Sequence, residues 1–242
     1  MSDNTAKTLE TMLIAKAVTK DIDLLRGFFK TNASDVFIGV RVPEIRIICK
    51  QCNDLSLSEI QKVLNSPVHE CRLAAVILLA DQYKKSTTDK SRQAIYDLYI
   101  KNVHDGRVNN WDLVDSSAEF IVGPWLQSRS KDVLFQLAAD GNLWARRVSI
   151  LAAFDYVKSG NGATTLALAE RLLNDKEDLI QKAVGWQLRE VGKRVDRQLL
   201  LGFLDEHAAQ MPRTTLRYAI EHLPPEQKVH YMSRKPTDKA KS

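Results

Sequence analysis

The chain has 242 residues, of which 44% are hydrophobic, and it carries a formal net charge of +5 at pH 7. This composition is sufficient for one large domain or one elongated array, and no apolar run approaches the ~20 residues that a membrane-spanning helix needs. The first residues, Met1 to Asn4, carry no signal-peptide pattern, so we expect a cytoplasmic protein that does not bind membranes.

The positive charge is concentrated in the C-terminal part of the chain. Residues 1–140 contain 18 Lys and Arg against 18 Asp and Glu, whereas residues 141–242 contain 17 against 12. A basic surface confined to one portion of a protein is typical of binding to a polyanion. A surface charge that only improves solubility explains the excess equally well.

The helical period recurs along nearly the whole chain, and no segment alternates as a strand does, so the predicted fold class is all-α. Before the centre of the chain, the predicted helices cover residues 5–20, 22–30, 43–52, 56–65, 67–84 and 89–103. A further helix begins at residue 111 and is limited by Pro124. The later helices cover residues 130–139, 143–158, 163–173, 178–194, 197–208 and 213–223, and a polar, basic, fraying tail is predicted over residues 224–242.

An internal repeat is visible when the predicted helix pairs are overlaid. A basic or polar residue precedes a small, aliphatic stretch at steps of 38, 37, 35 and 35 residues, at Arg72, Asn110, Arg147, Lys182 and Arg217. A period of two helices in this range predicts HEAT-like repeats. We therefore expect residues 1–223 to form one domain, an α-α superhelix that curves as a solenoid and has a continuous concave face.

The motif at the centre of the chain, residues 109–115 (NNWDLVD), reads as the start of a helix. Trp111 and Asp115 are four residues apart and share one helix face. Leu113, Val114 and Ala118 are free to turn toward the core. Trp111 and Asp115 are therefore expected to face something other than the core.

Several candidate residues lie on a similar side of their helices when the angle of each around the helix axis is measured from its repeat position. Trp111, Asp115, Arg147, Trp186 and Arg189 all fall within about 160°, at about 100° per residue. The predicted concave surface therefore presents tryptophans, one carboxylate and several cations.

Ordinary structural roles compete with these assignments. A helical tryptophan usually belongs to the core, which is the favoured interpretation of Trp125 and Trp144. Asp112 is well explained as a solvated carboxylate in the first helical turn, whereas Asp115 lies beyond that turn. Arg147 and Lys182 are each plausible as solvated surface cations, but less so as part of a repeated series.

Other chemistries find little support in the sequence. Cys49 and Cys52 are spaced like half of a zinc site, but no second pair completes it, so reduced core thiols are predicted for both and for Cys71. The histidines lack metal spacing and are expected to be surface or hydrogen-bonded residues, His69 among them. No phosphate-binding glycine loop or nucleophile elbow is present, and we predict neither a metal nor a cofactor.

The sequence resembles the AlkD family of alkylpurine DNA glycosylases, which are HEAT-like repeat proteins. The resemblance covers essentially the whole chain and is carried by residues 37–46 (FIGVRVPEIR), 110–115 (NWDLVD), 144–147 (WARR) and 180–190 (IQKAVGWQLRE). It implies that Asp115 is the catalytic carboxylate and that Trp111 and Trp186 flank the lesion. It also implies that Arg147 lies near the backbone of the damaged nucleotide. The adjacent Arg146 is the alternative residue for this contact. Because every catalytic position that aligns is retained, the resemblance favours the catalytic members over their non-catalytic relatives.

The chemistry of alkylated purines agrees with this assignment. A purine methylated at N7 or N3 is cationic and leaves as a neutral base, while the deoxyribose becomes oxocarbenium-like. A carboxylate beside the sugar stabilises that charge. Further cations are expected to hold phosphates, and the predicted DNA-binding residues are Arg146, Arg147, Lys182, Arg189 and Lys193.

The resulting hypothesis is a monomeric, cofactor-free DNA glycosylase that releases 3-methyladenine and 7-methylguanine from double-stranded DNA, associated with the nucleoid. The family resemblance implies cleavage without extrusion of the base into a pocket. Two alternatives stay open: a non-catalytic HEAT-repeat protein that binds distorted DNA, and a protein-binding scaffold, which the basic C-terminal part disfavours.

Overall fold

A computed structural model of the chain describes residues 5–27 and 35–234. These residues form helices joined by loops, with one isolated β-bridge between Val36 and Val68, which confirms the predicted all-α fold class. The helices are Ala6–Ala15 (α1), Ile22–Arg26 (α2), Val42–Gln51 (α3), Leu57–Leu64 (α4), His69–Lys85 (α5), Asp89–His104 (α6), Trp111–Asp115 (α7), Ala118–Leu126 (α8), Asp132–Ala138 (α9), Leu143–Ala152 (α10), Phe154–Lys158 (α11), Ala163–Arg171 (α12), Asp178–Arg194 (α13), Arg197–His207 (α14), Arg213–Ala219 (α15) and Pro225–Ser233 (α16), with a 3-10 turn at Thr19–Asp21.

The start of α4 shows how a local sequence signal and a tertiary contact combine. Ser56 caps this helix, because its hydroxyl accepts the N–H of Glu59 at 3.3 Å. In a complete capping box the Glu59 carboxylate would accept a hydrogen bond from the Ser56 N–H. It instead accepts the N–H of Ala6 at 2.8 Å and thereby ties the first turn of α1 to α4.

The described residues fall into two compact units, divided between Trp125 and Leu126. In the first unit, α1, α3, α4, α6 and α7 pack against α5. Residues 69–80 of α5 are all buried, which makes this helix the centre of the unit. The prediction of one domain over residues 1–223 is not tested by this division and stays a prediction.

The second unit consists of two layers of helices. In one layer α10 packs on α13 and α13 on α15, and in the other α9 packs on α12. Each helix of the first layer carries a member of the repeat series as its fifth residue: Arg147 in α10, Lys182 in α13 and Arg217 in α15. The spacing of 35 residues is therefore matched by the same position in successive helices, as a repeat requires.

The repeat position assigned to Asn110 needs a correction. Asn110 precedes α7 as its N-cap and lies outside the helix. The fifth residue of α7 is Asp115. The fifth position of α7 is thus a carboxylate, whereas the fifth position of α10, α13 and α15 in the second unit is a cation.

Two predicted helices are divided in the structure. The helix expected from residue 111 to Pro124 breaks into α7 and α8, where the Ser117 hydroxyl donates to the Leu113 carbonyl at 2.6 Å. Such side-chain bonds compete with the helical backbone pattern. The helix expected over residues 143–158 breaks into α10 and α11 at Ala153.

The predicted tail over residues 224–242 begins with a helix, α16, where the sequence suggested fraying. Tyr231 of this helix is buried, and its hydroxyl is 3.1 Å from the Asp205 carboxylate. Arg234 also donates to that carboxylate at 3.0 Å. Residues 235–242 lie outside the described residues, as do residues 28–34, where the predicted helix 22–30 ends.

The three cysteines are free and buried, as predicted for core thiols. Burial raises the pKa of Cys49 and of Cys71 to about 12. In the described ranges no cluster of three or more His, Cys, Asp or Glu side chains is arranged to hold a metal ion. Over residues 5–27 and 35–234, no helix has both the length and the apolar character needed to cross a bilayer.

Candidate functional site

Helix α7 carries the two central candidates of the first unit, Trp111 and Asp115. Its first N–H, that of Trp111, is accepted by the buried side chain of Asn110 at 2.9 Å. Leu113 and Val114 are fully buried, as predicted, whereas Trp111 and Asp115 are half-buried. The short helix therefore anchors its apolar side in the core and leaves an indole and a carboxylate at its margin.

The Asp115 carboxylate lies close to the apolar interior. Beneath it, the fully buried Tyr99 hydroxyl is 2.9 Å from the Ser117 hydroxyl. Burial raises the pKa of Tyr99, the hydrogen-bond contact with the Ser117 hydroxyl opposes that rise, and the charge of Asp115 adds to it. A carboxylate beside such low-dielectric material interacts more strongly with a nearby cation than it would in open water.

A buried ion network lies under the start of α7. His69, at the first position of α5, has Nε2 2.8 Å from the Asp112 carboxylate and Nδ1 3.4 Å from the Asp35 carboxylate. Arg72, one turn further along α5, is 2.7 Å from Asp35. Asp112 is therefore not the solvated helix-start carboxylate that the sequence suggested, since it is 9% exposed and bound to His69.

Sequence reasoning missed this network as a unit. It expected His69 to be a surface or hydrogen-bonded residue, and the second of these is correct. Arg72 was assigned to a basic series, but it is 3% exposed and donates to the Ser66 carbonyl at 2.8 Å. The strongly apolar character of the predicted helix 67–84 was the one available sequence signal that polar side chains at its start would be buried and need partners.

The loop before α3 is held by the same end of α5. The buried Glu70 carboxylate accepts the N–H groups of Ile38, Gly39 and Val40 at 2.9 to 3.4 Å. Gly39 has φ +82°, and a Cβ atom there would lie 2.2 Å from the Val18 carbonyl oxygen, so only glycine fits. The loop that carries the family-like string of residues 37–46 is therefore fixed by a buried acid.

In the second unit, Trp186 is half-buried on α13. Its ring lies 5.6 Å from the ring of Phe154, and the Arg194 guanidinium lies 5.3 Å from the same Phe154 ring. This tilted ring contact limits the positions open to the indole. Trp125 and Trp144, by contrast, are both buried, which confirms the core interpretation of these two tryptophans.

Arg146 and Arg147 both have partners inside the protein. Arg147 is 6% exposed and donates to the Leu179 carbonyl at 2.6 Å. Arg146 pairs with Asp175 at 2.7 Å and donates to the carbonyls of residues 140 and 141. The alternative of a solvated surface cation at Arg147 is therefore not supported, and internal bonds fix both guanidinium groups.

The three cations predicted on α13 differ in their surroundings. Lys182 is half-buried and pairs with Asp178 at 2.6 Å, a hydrogen bond that raises the pKa of Lys182. Arg189 pairs with the buried Glu190 and with Glu221. Lys193 is exposed.

A cavity of about 410 Å³ opens at the C-terminal part of α13. Its cationic lining comes from Arg189, Lys193 and Arg197, and its apolar lining includes Leu200 and Leu223. Within the second unit, two of the predicted DNA-binding residues thus border one concave, basic space. Trp111 and Asp115 belong to the first unit, and their predicted position on one face with these cations stays a prediction.

Residues 9–223 match the sequence profile of a family described as DNA alkylation repair enzyme. Among solved structures, a predicted DNA alkylation repair enzyme from Enterococcus faecalis is similar, with a TM-score of 0.68 and 20% sequence identity. The similarity covers 87% of this chain and 98% of that chain, and at this identity it is a likeness of fold. No curated protein sequence matches the chain significantly.

Proposed function

We propose that this chain, which belongs to the DNA alkylation repair enzyme family, is a DNA glycosylase for purines made cationic by alkylation at N3 or N7. Its substrates would be 3-methyladenine and 7-methylguanine in duplex DNA. The reaction would hydrolyse the N-glycosidic bond and leave an abasic site.

The observation that supports this activity most directly is the environment of Asp115. The carboxylate is half-buried at the end of α7, is four residues from the Trp111 indole and acts electrostatically on the buried Tyr99. A cationic purine departs as a neutral base, so the catalyst has no leaving group to protonate. What it must stabilise is the positive charge that develops on the deoxyribose, and a fixed anion in a low-dielectric setting does this.

The remaining residues would bind rather than react. Trp111 and Trp186 would flank the lesion, since indole faces favour a cation. Lys182, Arg189 and Lys193 would contact phosphates, which positions the duplex without reading its sequence. Arg147 would act near the damaged nucleotide, with its guanidinium already fixed by the Leu179 carbonyl.

Release of 7-methylguanine from methylated duplex DNA tests the proposal under single-turnover conditions. We expect the wild-type protein to release the base, and Asp115→Asn to reduce the rate by roughly 10²–10³-fold, the usual effect of removing one charge-stabilising group. Asp97→Asn is the matched control, because Asp97 is an exposed carboxylate within α6. It should release the base at the wild-type rate.

Equal rates for Asp115→Asn and the wild type would remove Asp115 from the mechanism. Tight binding of alkylated duplex without release of any base would instead favour the non-catalytic alternative. A duplex containing a neutral lesion should not be processed, because its leaving base lacks the positive charge on which the reaction depends.

A further inference from the structure

We propose that His69 is a positioning residue, held as an imidazolium between Asp35 and Asp112, which fixes the start of α7 and thereby Trp111 and Asp115. The effect of His69 on catalysis rests on the glycosylase function proposed above, whereas its effect on the position of α7 does not. His69 is 2% exposed and does not reach a substrate.

The protonation state follows from the geometry of the two ring nitrogens. Nε2 lies 2.8 Å from an Asp112 oxygen and Nδ1 lies 3.4 Å from an Asp35 oxygen. A neutral imidazole has one N–H, so one of its nitrogens would direct a lone pair at a carboxylate. Only the imidazolium donates on both sides.

The charges around His69 also balance in this state. The charged groups that contact it or its partners include Asp112 from α7, Asp35 from the loop before α3, and Arg72 from α5 itself. Two cations and two anions then form a buried, neutral quartet, and buried charges persist only when they are paired in this way. The Phe37 ring stacks on the imidazole, with the ring centroids 4.8 Å apart.

The quartet holds α7 at two points on either side of Trp111. His69 binds Asp112, whose other carboxylate oxygen accepts the Leu113 N–H at 2.9 Å. Arg72 donates to the Asn109 side chain at 3.3 Å. A helix of five residues has little rigidity of its own, so these bonds to α5 set the position of its indole and its terminal carboxylate.

Two near-isosteric substitutions test the role. The amide nitrogen of Gln in His69→Gln reaches the position of Nε2 and keeps the bond to Asp112, whereas that of Asn in His69→Asn reaches the position of Nδ1 and keeps only the bond to Asp35. We expect His69→Gln to retain a base-release rate within about 3-fold of the wild type, and His69→Asn to be slower by about 10- to 100-fold, the penalty of a small misplacement. Rates are compared under single-turnover conditions at saturating DNA and per folded molecule, as determined by circular dichroism.

A second measurement does not depend on catalysis. Nitrogen-15 NMR of histidine-labelled protein should show both ring nitrogens of His69 protonated at pH 7.5, and amide exchange over residues 109–115 should be faster in His69→Asn than in His69→Gln. A neutral imidazole at that pH, or equal amide exchange in the two variants, would overturn the proposal. If the wild type released no base while both NMR results held, the glycosylase function would fail and the positioning role would stand.

Discussion

Two carboxylates three residues apart on α7 differ in burial. Asp112 faces inward and is neutralised by His69, whereas Asp115 is half-buried at the end of the helix. The first therefore fixes the position of the helix, and the second lies at the end of the helix, where the proposed catalytic role needs a carboxylate. Residue type alone does not separate these roles, because both are aspartates in one short motif.

Gly185 is a residue whose size the packing of the second unit fixes. A Cβ atom there would lie 2.4 Å from the Thr215 carbonyl oxygen and 2.6 Å from Tyr218 Cβ, both on α15. We predict that Gly185→Ala lowers the free energy of unfolding by about 1–3 kcal/mol through overpacking, despite the higher helix propensity of alanine. Because Trp186 is the next residue, the strain acts directly beside a predicted site residue.

Gly202→Ala provides the matched control for Gly185→Ala. Gly202 lies within α14, and a Cβ atom at this position would have no neighbour within 4 Å. This substitution should raise the free energy of unfolding by about 0.5–1 kcal/mol. Urea unfolding of both variants measures the difference, and a stabilised Gly185→Ala protein would show that α13 and α15 are not closely packed.

At the scale of elements, the first turn of α5 organises the first unit. His69, Glu70 and Arg72 connect this turn to the loop before α3, and His69 and Arg72 connect it to the region of α7. Loop and helix are therefore coupled through buried charges rather than through apolar contacts alone. The free energy of unfolding should consequently depend on the protonation of His69, which bridges the loop and the helix.

The pH dependence of unfolding tests this coupling. Burial disfavours the charged form, but the hydrogen bonds to Asp112 and Asp35 outweigh burial and raise the pKa of His69 from 6.5 to about 9. The stabilisation is therefore fully present below pH 6.5 and is lost as the pH rises through about 9. The difference between the two pKa values corresponds to about 3 kcal/mol.

Urea unfolding at intervals from pH 6 to 9.5 measures this loss. The free energy of unfolding should fall across that window in the wild type and fall much less in His69→Gln, which has no group titrating at that position. Parallel curves for the two proteins would mean that His69 is not charged in the folded state.

Helices with complete local signals were predictable from the sequence. Residues 178–194 were predicted as a helix with the bounds that α13 has, since Asp178 lies in the first turn, Lys193 and Arg194 lie in the last, and the apolar period is unbroken between them. The break between α7 and α8 was missed, because it depends on the bond that Ser117 makes to Leu113. Serine is compatible with a helix until its side chain competes for a carbonyl.

The buried quartet could not be predicted for a different reason. Its histidine pairs with residues 34 and 43 positions away along the chain, and no local period records such a pairing. The half-buried positions of Trp111 and Asp115, in contrast, followed from the apolar residues between them. Local pattern thus indicated that Trp111 and Asp115 leave the core but not that Asp112 is buried, because tertiary contacts with His69 decide the position of Asp112.

At the scale of the whole molecule, the charge distribution bears on the partner. The excess of Lys and Arg over Asp and Glu, 17 against 12, lies entirely in residues 141–242. Several of these cations are engaged internally, including Arg146, Arg147 and Arg189. The electrostatic part of DNA binding should therefore depend most on cations that stay exposed, of which Lys193, at the edge of the basic cavity, is one.

The salt dependence of duplex binding measures this contribution. If Lys193 contacts a phosphate, Lys193→Gln should weaken binding similarly on alkylated and unmodified duplexes and reduce the slope of log K against log salt concentration by about 1. Lys90→Gln is the control, because Lys90 is an exposed lysine in the first unit, where acidic and basic residues balance. Since a phosphate contact positions the duplex without stabilising the departing base, the base-release rate at saturating DNA should stay unchanged in Lys193→Gln. An unchanged slope would remove Lys193 from the interface, and wild-type binding that does not respond to salt would contradict a phosphate-based mode altogether.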